Sequence, residues 1–208
     1  MNSGKSSHVN NENLVITISR EHGSGGRVIG EKLAKRLEIN CYDKKLIELV
    51  TEDTKIDISI VEGLEEMRPA DSLYENNMAA DTIDAYYAIY SSQNKIIRKL
   101  SDQESCVIVG RCADYILKDK KKCVNIFVYA PFEERCNRVV SEYHEYDSKP
   151  QKMIQKIDEE RKEYYTSVTG EEWGKMQKYD LCINSVIGID ETVDIIEAFV
   201  KKRIKTPK

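Results

Sequence analysis

No apolar run in this chain of 208 residues approaches the length that spans a bilayer, and the first residues carry no signal-peptide core. A membrane partner is therefore not expected. An excess of charge of one sign is also missing. Lys and Arg total 32 against 36 Asp and Glu, a net −4 that argues against a nucleic-acid groove but leaves room for a local basic cleft. The six cysteines, at 41, 106, 112, 123, 136 and 182, form no C-x-x-C pair and no tight cluster. Four sit in or beside apolar stretches, so buried, reduced thiols and a cytoplasmic compartment are expected. What remains is an ordinary globular composition, 40% hydrophobic and 33% charged, long enough for one α/β domain. A homo-oligomer is compatible with the sequence but is not readable from it.

The stretch that organises the chain is 14–37. Leu14-Val15-Ile16-Thr17-Ile18 reads as a buried parallel strand, and Ile29, Leu33, Ala34 and Leu37 recur at helical spacing. Between them stands Ser19-Arg20-Glu21-His22-Gly23-Ser24-Gly25-Gly26-Arg27, with three glycines among four consecutive positions. A glycine loop that leaves a strand and opens a helix turns backbone N–H groups toward an anion, and the helix N-terminus adds its positive end. His22 to Val28 thus reads as a phosphate cradle, with Arg27 as a permanent cation beside it.

Three readings of the loop compete. Against the phosphate-loop pattern G-x-x-x-x-G-K-[ST], Arg27 replaces the Lys, Val28 replaces the hydroxyl that binds Mg²⁺, and Glu21 replaces the first Gly. Against the dinucleotide fingerprint G-x-G-x-x-G, Gly23 and Gly25 fit and Asp43 stands at about the right distance for a ribose contact. Val28, however, occupies the third glycine position. The third reading is a glycine turn with no ligand.

Downstream, Ile39–Asp43 reads as a second strand whose Asp43 either meets a ligand or caps the helix from Lys44. Residues 44–100 read as helical, with a break at Arg68–Ser72 and a long helix from about Ser72 to Leu100. Its tyrosines read as core packing. Ser105–Val109 and Cys123–Ala130 are further buried strands. Arg111 follows Gly110 at a strand end, and Asp114 either orients it or begins a helix. Arg135 and Arg138 share a helix face, where Arg138 suits a surface pair with Glu134. A loop at 144–150, a charged helix at 151–165, a loop held by Trp173, a strand at 179–184 and a closing helix complete the chain.

Ile16 to Arg27, Val107 to Leu117, and Tyr164-Tyr165 through Thr169-Gly170, Trp173-Gly174 and Tyr179-Asp180-Leu181 resemble the cytidylate kinase-like family over roughly residues 14–200. That resemblance implies a P-loop nucleoside monophosphate kinase fold with Arg for the loop Lys. The fold would be a three-layer α/β sandwich with a five-stranded parallel sheet in the order 2-3-1-4-5. It implies one domain over 14–203 after a disordered tail at 1–13, a helical monophosphate-binding insertion at about 44–100 and a lid at about 144–177. It further implies ATP and Mg²⁺ as cofactors, small-molecule nucleotides as substrates and CMP or dCMP as the first acceptor. Arg27, Arg111, Arg135 and Arg161 become the catalytic cations, Arg111 the clamp on the acceptor phosphate, and Asp43 and Asp114 acceptor-side acids. Val28 offers Mg²⁺ nothing, so Asp43 or Glu21 would have to help hold it. Two rivals accompany this reading: a nucleotide-binding protein with little or no transferase activity, and a NAD-dependent oxidoreductase.

Overall fold

The structure, a computed structural model, describes residues 13–64, 80–142 and 149–205. The expected tail apart from Asn13, the Arg68–Ser72 break, the Met78–Ala79 end of the long helical stripe and residues 144–148 of the expected loop lie outside them.

Strand β1 (Val15–Arg20) feeds helix α1 (Gly26–Arg36), and strand β2 (Asn40–Tyr42) feeds α2 (Lys44–Thr54) and α3 (Ile58–Leu64). Helix α4 (Ala80–Gln103) leads to β3 (Cys106–Val109) and the short α5 (Ala113–Ile116). Then come β4 (Cys123–Tyr129), α6 (Phe132–Ser141), α7 (Pro150–Thr169), β5 (Leu181–Asn184) and α8 (Ile189–Arg203). All four strand pairings are parallel and the sheet order is β2-β3-β1-β4-β5, as the resemblance implied.

The pleat sorts the core into layers. Ile16, Ile18, Val107, Val109, Ile126 and Val128 face one way, against Ile29 and Leu33 of α1 and Val193, Ile196 and Val200 of α8. Val15, Cys106, Ile108 and Cys123 face the other way, against Leu46 of α2, Ile97 of α4 and Ala113 and Ile116 of α5. A separate apolar cluster, Ile47, Val50, Val61, Leu64 and Ile89, ties α2, α3 and α4 together. All six cysteines are free. Cys106, Cys112 and Cys123 are buried, whereas Cys41, Cys136 and Cys182 are only partly covered. The tyrosine stripe of α4 is mixed, with Tyr86 buried and Tyr87 exposed.

One boundary and one packing contact differ from the sequence reading in ways that matter. Strand β1 runs two residues past Ile18, because β4 continues beside it and pairs Ser19 with Phe127 and Arg20 with Val128. Arg20 is thus a strand-end residue and not part of the loop. The close helix–strand packing that a dinucleotide fold asks of residue 28 is provided here by Gly30, where a Cβ would lie 3.0 Å from Val109 Cγ2 and 3.2 Å from Ile18 Cδ1. A Gly30→Val substitution is therefore expected to destabilise the fold by about 1–3 kcal/mol through overpacking of the α1–sheet contact. Denaturant unfolding checks this.

Candidate active site

At the C-terminal end of the central strand, residues 21–25 make a tight turn. The N–H and Oγ of Ser24 both donate to Glu21 O, at 3.3 and 2.8 Å. Gly23 has φ 78°, and a Cβ there would lie 2.8 Å from the carbonyl oxygen of Arg135. No residue but glycine fits that position without displacing α6.

Three successive loop carbonyls are held from the protein side. Arg135 Nη1 donates to His22 O at 3.1 Å, Arg138 Nη1 to Gly23 O at 2.9 Å, and Ser185 Oγ to Ser24 O at 2.6 Å. In a trans peptide the C=O of one residue and the N–H of the next point in opposite directions. Anchoring these carbonyls therefore turns the N–H groups of Gly23 and Gly25 outward. Helix α1 begins at Gly26 behind an N-cap, Gly25, that makes no side-chain cap bond, so its first N–H groups add to the same positive rim.

The anchors form a network of their own. Arg135 is 8% exposed, Arg138 9%. Arg135 pairs with Asp158 of α7 and, through Nε, with Glu21 Oε2 at 3.4 Å. Asp158 Oδ1 also accepts from the His22 N–H at 2.7 Å, and Glu21 Oε2 accepts from the Ala130 N–H at 3.2 Å. Burial pushes the Glu21 carboxyl above its ordinary range, with the Arg135 charge opposing. Arg138 is corrected here. It is no surface partner of Glu134, because its helix face meets the loop. Its ion pair is with Glu142, at 3.7 Å.

Arg27 stands apart. Its Nε lies 3.1 Å from both Glu31 Oε1 and Asp43 Oδ2, with 47% of the side chain exposed. Asp43 occupies the N-cap position of α2 without capping it, and its carboxylate instead bridges to the first turn of α1.

Beside the loop lies a cleft lined by Ser19, Arg20, Gly110, Arg111, Cys112, Arg161, Tyr164, Tyr165 and Trp173. Three arginines are among these lining residues. The chain leaves β3 through three consecutive residues at positive φ: Gly110 (75°), Arg111 (58°) and Cys112 (52°). The two non-glycine residues carry strain of about 1–3 kcal/mol each, as chains tolerate at functional turns. Glycine suits position 110 because of its left-handed φ, and the Arg20 guanidinium lies in the space a side chain there would take. Arg161 Nη1 reaches Arg20 O at 3.4 Å. Below, Asp114 is 5% exposed and accepts from Tyr165 OH at 2.8 Å. Burial raises its carboxyl above the usual range, with the Tyr165 hydrogen bond opposing. Trp173 packs edge-on against Phe127, at 5.4 Å between ring centroids.

Of the four arginines singled out from the sequence, Arg111 and Arg161 meet in the cleft, Arg135 lies beneath the loop and Arg27 stands on the outer face of α1. Arg20, Asp158 and Ser185 are not singled out by the sequence, and Arg138 reads there only as a surface residue. The spacing of Arg138 from Arg135, and of Asp158 from Arg161, was the available signal. No spacing pointed to Ser185. Glu21 and Asp43, the acids considered for Mg²⁺, are each engaged with an arginine. Among the described residues no group of three or more His, Cys, Asp and Glu side chains is placed to hold a metal, and no helix is long and apolar enough to cross a membrane.

A glycine loop between the central strand of a 2-3-1-4-5 parallel sheet and the following helix defines a P-loop kinase-type α/β protein, and the order differs from the 3-2-1-4 of dinucleotide-binding sheets. The chain belongs to the cytidylate kinase-like family, whose sequence model matches residues 15–186. Among solved structures it is similar to an uncharacterized protein from Eubacterium ventriosum, at 27% identity and TM-score 0.69, over 90% of this chain and 98% of that one. It shares its fold with shikimate kinase from Aquifex aeolicus, at 20% identity and TM-score 0.54, over 92% of this chain and 98% of that one. A gluconokinase from Sinorhizobium meliloti matches at 13% identity and TM-score 0.55, over 92% and 93% of the two chains. Comparison with curated proteins found no match.

The raised Asp114 carboxyl has a consequence for stability. The folded state binds its proton more tightly than the unfolded chain, so the stability it contributes is complete below the unfolded value of 3.8. That contribution is lost as pH rises through the folded value. Asp114→Asn is expected to gain melting temperature relative to the parent as pH is raised from about 4 to about 7. A pH series of thermal melts checks the sign.

Proposed function

We propose that the protein is an ATP-dependent phosphotransferase. In this reading the loop at 22–28 receives the nucleotide phosphates, and the cleft of Arg20, Arg111 and Arg161 receives an anionic acceptor, with CMP or dCMP the first to try. The observation that carries the reading is the cleft itself. Three arginines converge on it beside the glycine loop, a concentration of planar, multidentate donors suited to a phosphorylated acceptor. Family membership supports nucleotide use in the same direction. Residues 185–189 support it as well. Ser185 is bonded to the loop, Ile189 packs on Gly25, and Val186 and Ile187 between them are 47% and 49% exposed, an apolar platform suited to a base.

The residues present fit a polyphosphate better than a protein-held metal. Outward N–H groups and an uncapped helix N-terminus suit phosphate oxygens. Val28 has no oxygen to offer, and Glu21 and Asp43 already serve arginines. Mg²⁺ would accordingly arrive with the nucleotide and be held by its phosphates and water, where it neutralises phosphate charge. The chain's own part is positioning and charge cancellation: the loop fixes the donor, Arg111 and Arg161 the acceptor and the transferring group. The free cysteines support a reducing, cytoplasmic setting.

A coupled assay over nucleoside monophosphates and small alcohols tests the proposal. ADP release that depends on one acceptor is expected, strongest with CMP or dCMP. Arg161→Ala should lower kcat/KM for that acceptor by about 10- to 100-fold, the range for hydrogen bonds to a charged group. ATP binding without transfer to any acceptor would favour the binding-protein reading, to which the Arg27 and Val28 departures from the loop pattern point.

A further inference from the structure

We infer that Asp158 is a positioning residue that registers helix α7, and with it Arg161, against the phosphate loop. This rests on the phosphotransferase reading above.

One carboxylate bridges two elements. Oδ1 accepts from the His22 N–H at 2.7 Å and Oδ2 accepts from Arg135, whose Nη1 also donates to His22 O at 3.1 Å. Both backbone polar groups of His22 are therefore closed into one ring through α7 and α6. Arg161 lies three residues after Asp158 and so on the same face of α7. Its Nη1 reaches Arg20 O at 3.4 Å. Two side chains one turn apart thus grip the same stretch of backbone, Arg20 and His22, on either side of Glu21.

The other anchors of α7 are apolar contacts, apart from the Tyr165 hydroxyl, which donates to Asp114 of α5 at 2.8 Å and not to the loop. Ile154 is fully buried, and Tyr164 and Tyr165 pack against Cys112. Apolar burial is non-directional and tolerates a helix sliding or turning slightly. A charge-assisted bond to a single backbone N–H does not, and misplacing a catalytic cation by about 1 Å can cost about a hundredfold in rate. Asp158 is not among the residues that line the cleft, and it meets the loop at the His22 N–H. Its effect on transfer would pass through Arg161 and the loop, with Glu21 left as the other carboxylate on Arg135.

The test is a double-mutant cycle on the full chain with Asp158→Asn, Arg161→Ala and both. Asp158→Asn keeps the size and one acceptor oxygen, and Asp158→Ala serves as the harsher second variant. For Asp158→Asn, kcat is expected to fall about tenfold or more. Added to Arg161→Ala, it should cost less than about a further twofold, because both substitutions remove the same placement. Additive losses, or a drop in melting temperature with kcat retained, would overturn the inference. Hydrogen exchange gives a readout independent of any substrate. In Asp158→Asn the His22 amide and the α7 amides around Arg161 should exchange faster together, by about tenfold or more. Unchanged exchange at either place overturns the positioning role, even if no acceptor supports transfer and the proposed function itself fails.

Discussion

The loop at 22–25 has its shape because three consecutive carbonyls are tied down from behind, two of them by buried arginines. A guanidinium taken out of water is costly unless its donors are met. Arg135 and Arg138 each place a donor on a loop carbonyl and pair with the carboxylates of Glu21, Asp158 and Glu142, although the Nε of each has no hydrogen-bond partner among the described residues. The cost of burying them secures the geometry, since moving the loop would strand charges inside the protein. Peptide planarity then transmits the anchoring, because carbonyls pulled inward leave N–H groups facing outward. Much of the cationic character of helix α6 is thus spent on holding the loop's shape.

The same central strand organises the cleft. Pairing with β4 carries β1 on to Arg20, and the left-handed turn after β3 brings Arg111 and Cys112 alongside it. Gly110 leaves room for the Arg20 side chain between the two strand ends. Helix α7 then closes the third side with Arg161, Tyr164 and Tyr165. Loop and cleft therefore share one backbone segment, residues 19–22, which under the proposed phosphotransferase reading would set donor and acceptor sites side by side. That adjacency is what in-line transfer between two bound anions needs.

The departures from the phosphate-loop pattern also gain a physical setting. Arg27 lies across to Asp43 and Glu31, and so links the first turn of α1 to the end of β2. The loop's own electrostatics rest on backbone dipoles and on the arginines of the neighbouring cleft more than on a side chain at position 27.

Periodicity and composition by themselves determined the layers. Runs such as Cys106–Val109 are apolar on both faces, which only a sheet covered on both sides can satisfy, and α1 shows its buried stripe of Ile29, Leu33 and Ala34 in spacing alone. The glycine loop was legible for the same local reason, as a turn between a strand and a helix. Strand order came from resemblance, and the extent of β1 from its pairing with β4, since no local pattern records which neighbour a strand will take. The division of the arginines was likewise decided by tertiary structure. Arg138 and Arg135, three residues apart, look alike in sequence to any surface pair, and only the packing of α6 beneath residues 22 and 23 makes them buried anchors. Asp158 and Ser185 reach the loop from 136 and 161 residues away. Contacts at such separation depend on how whole elements pack, and local spacing carries no trace of them.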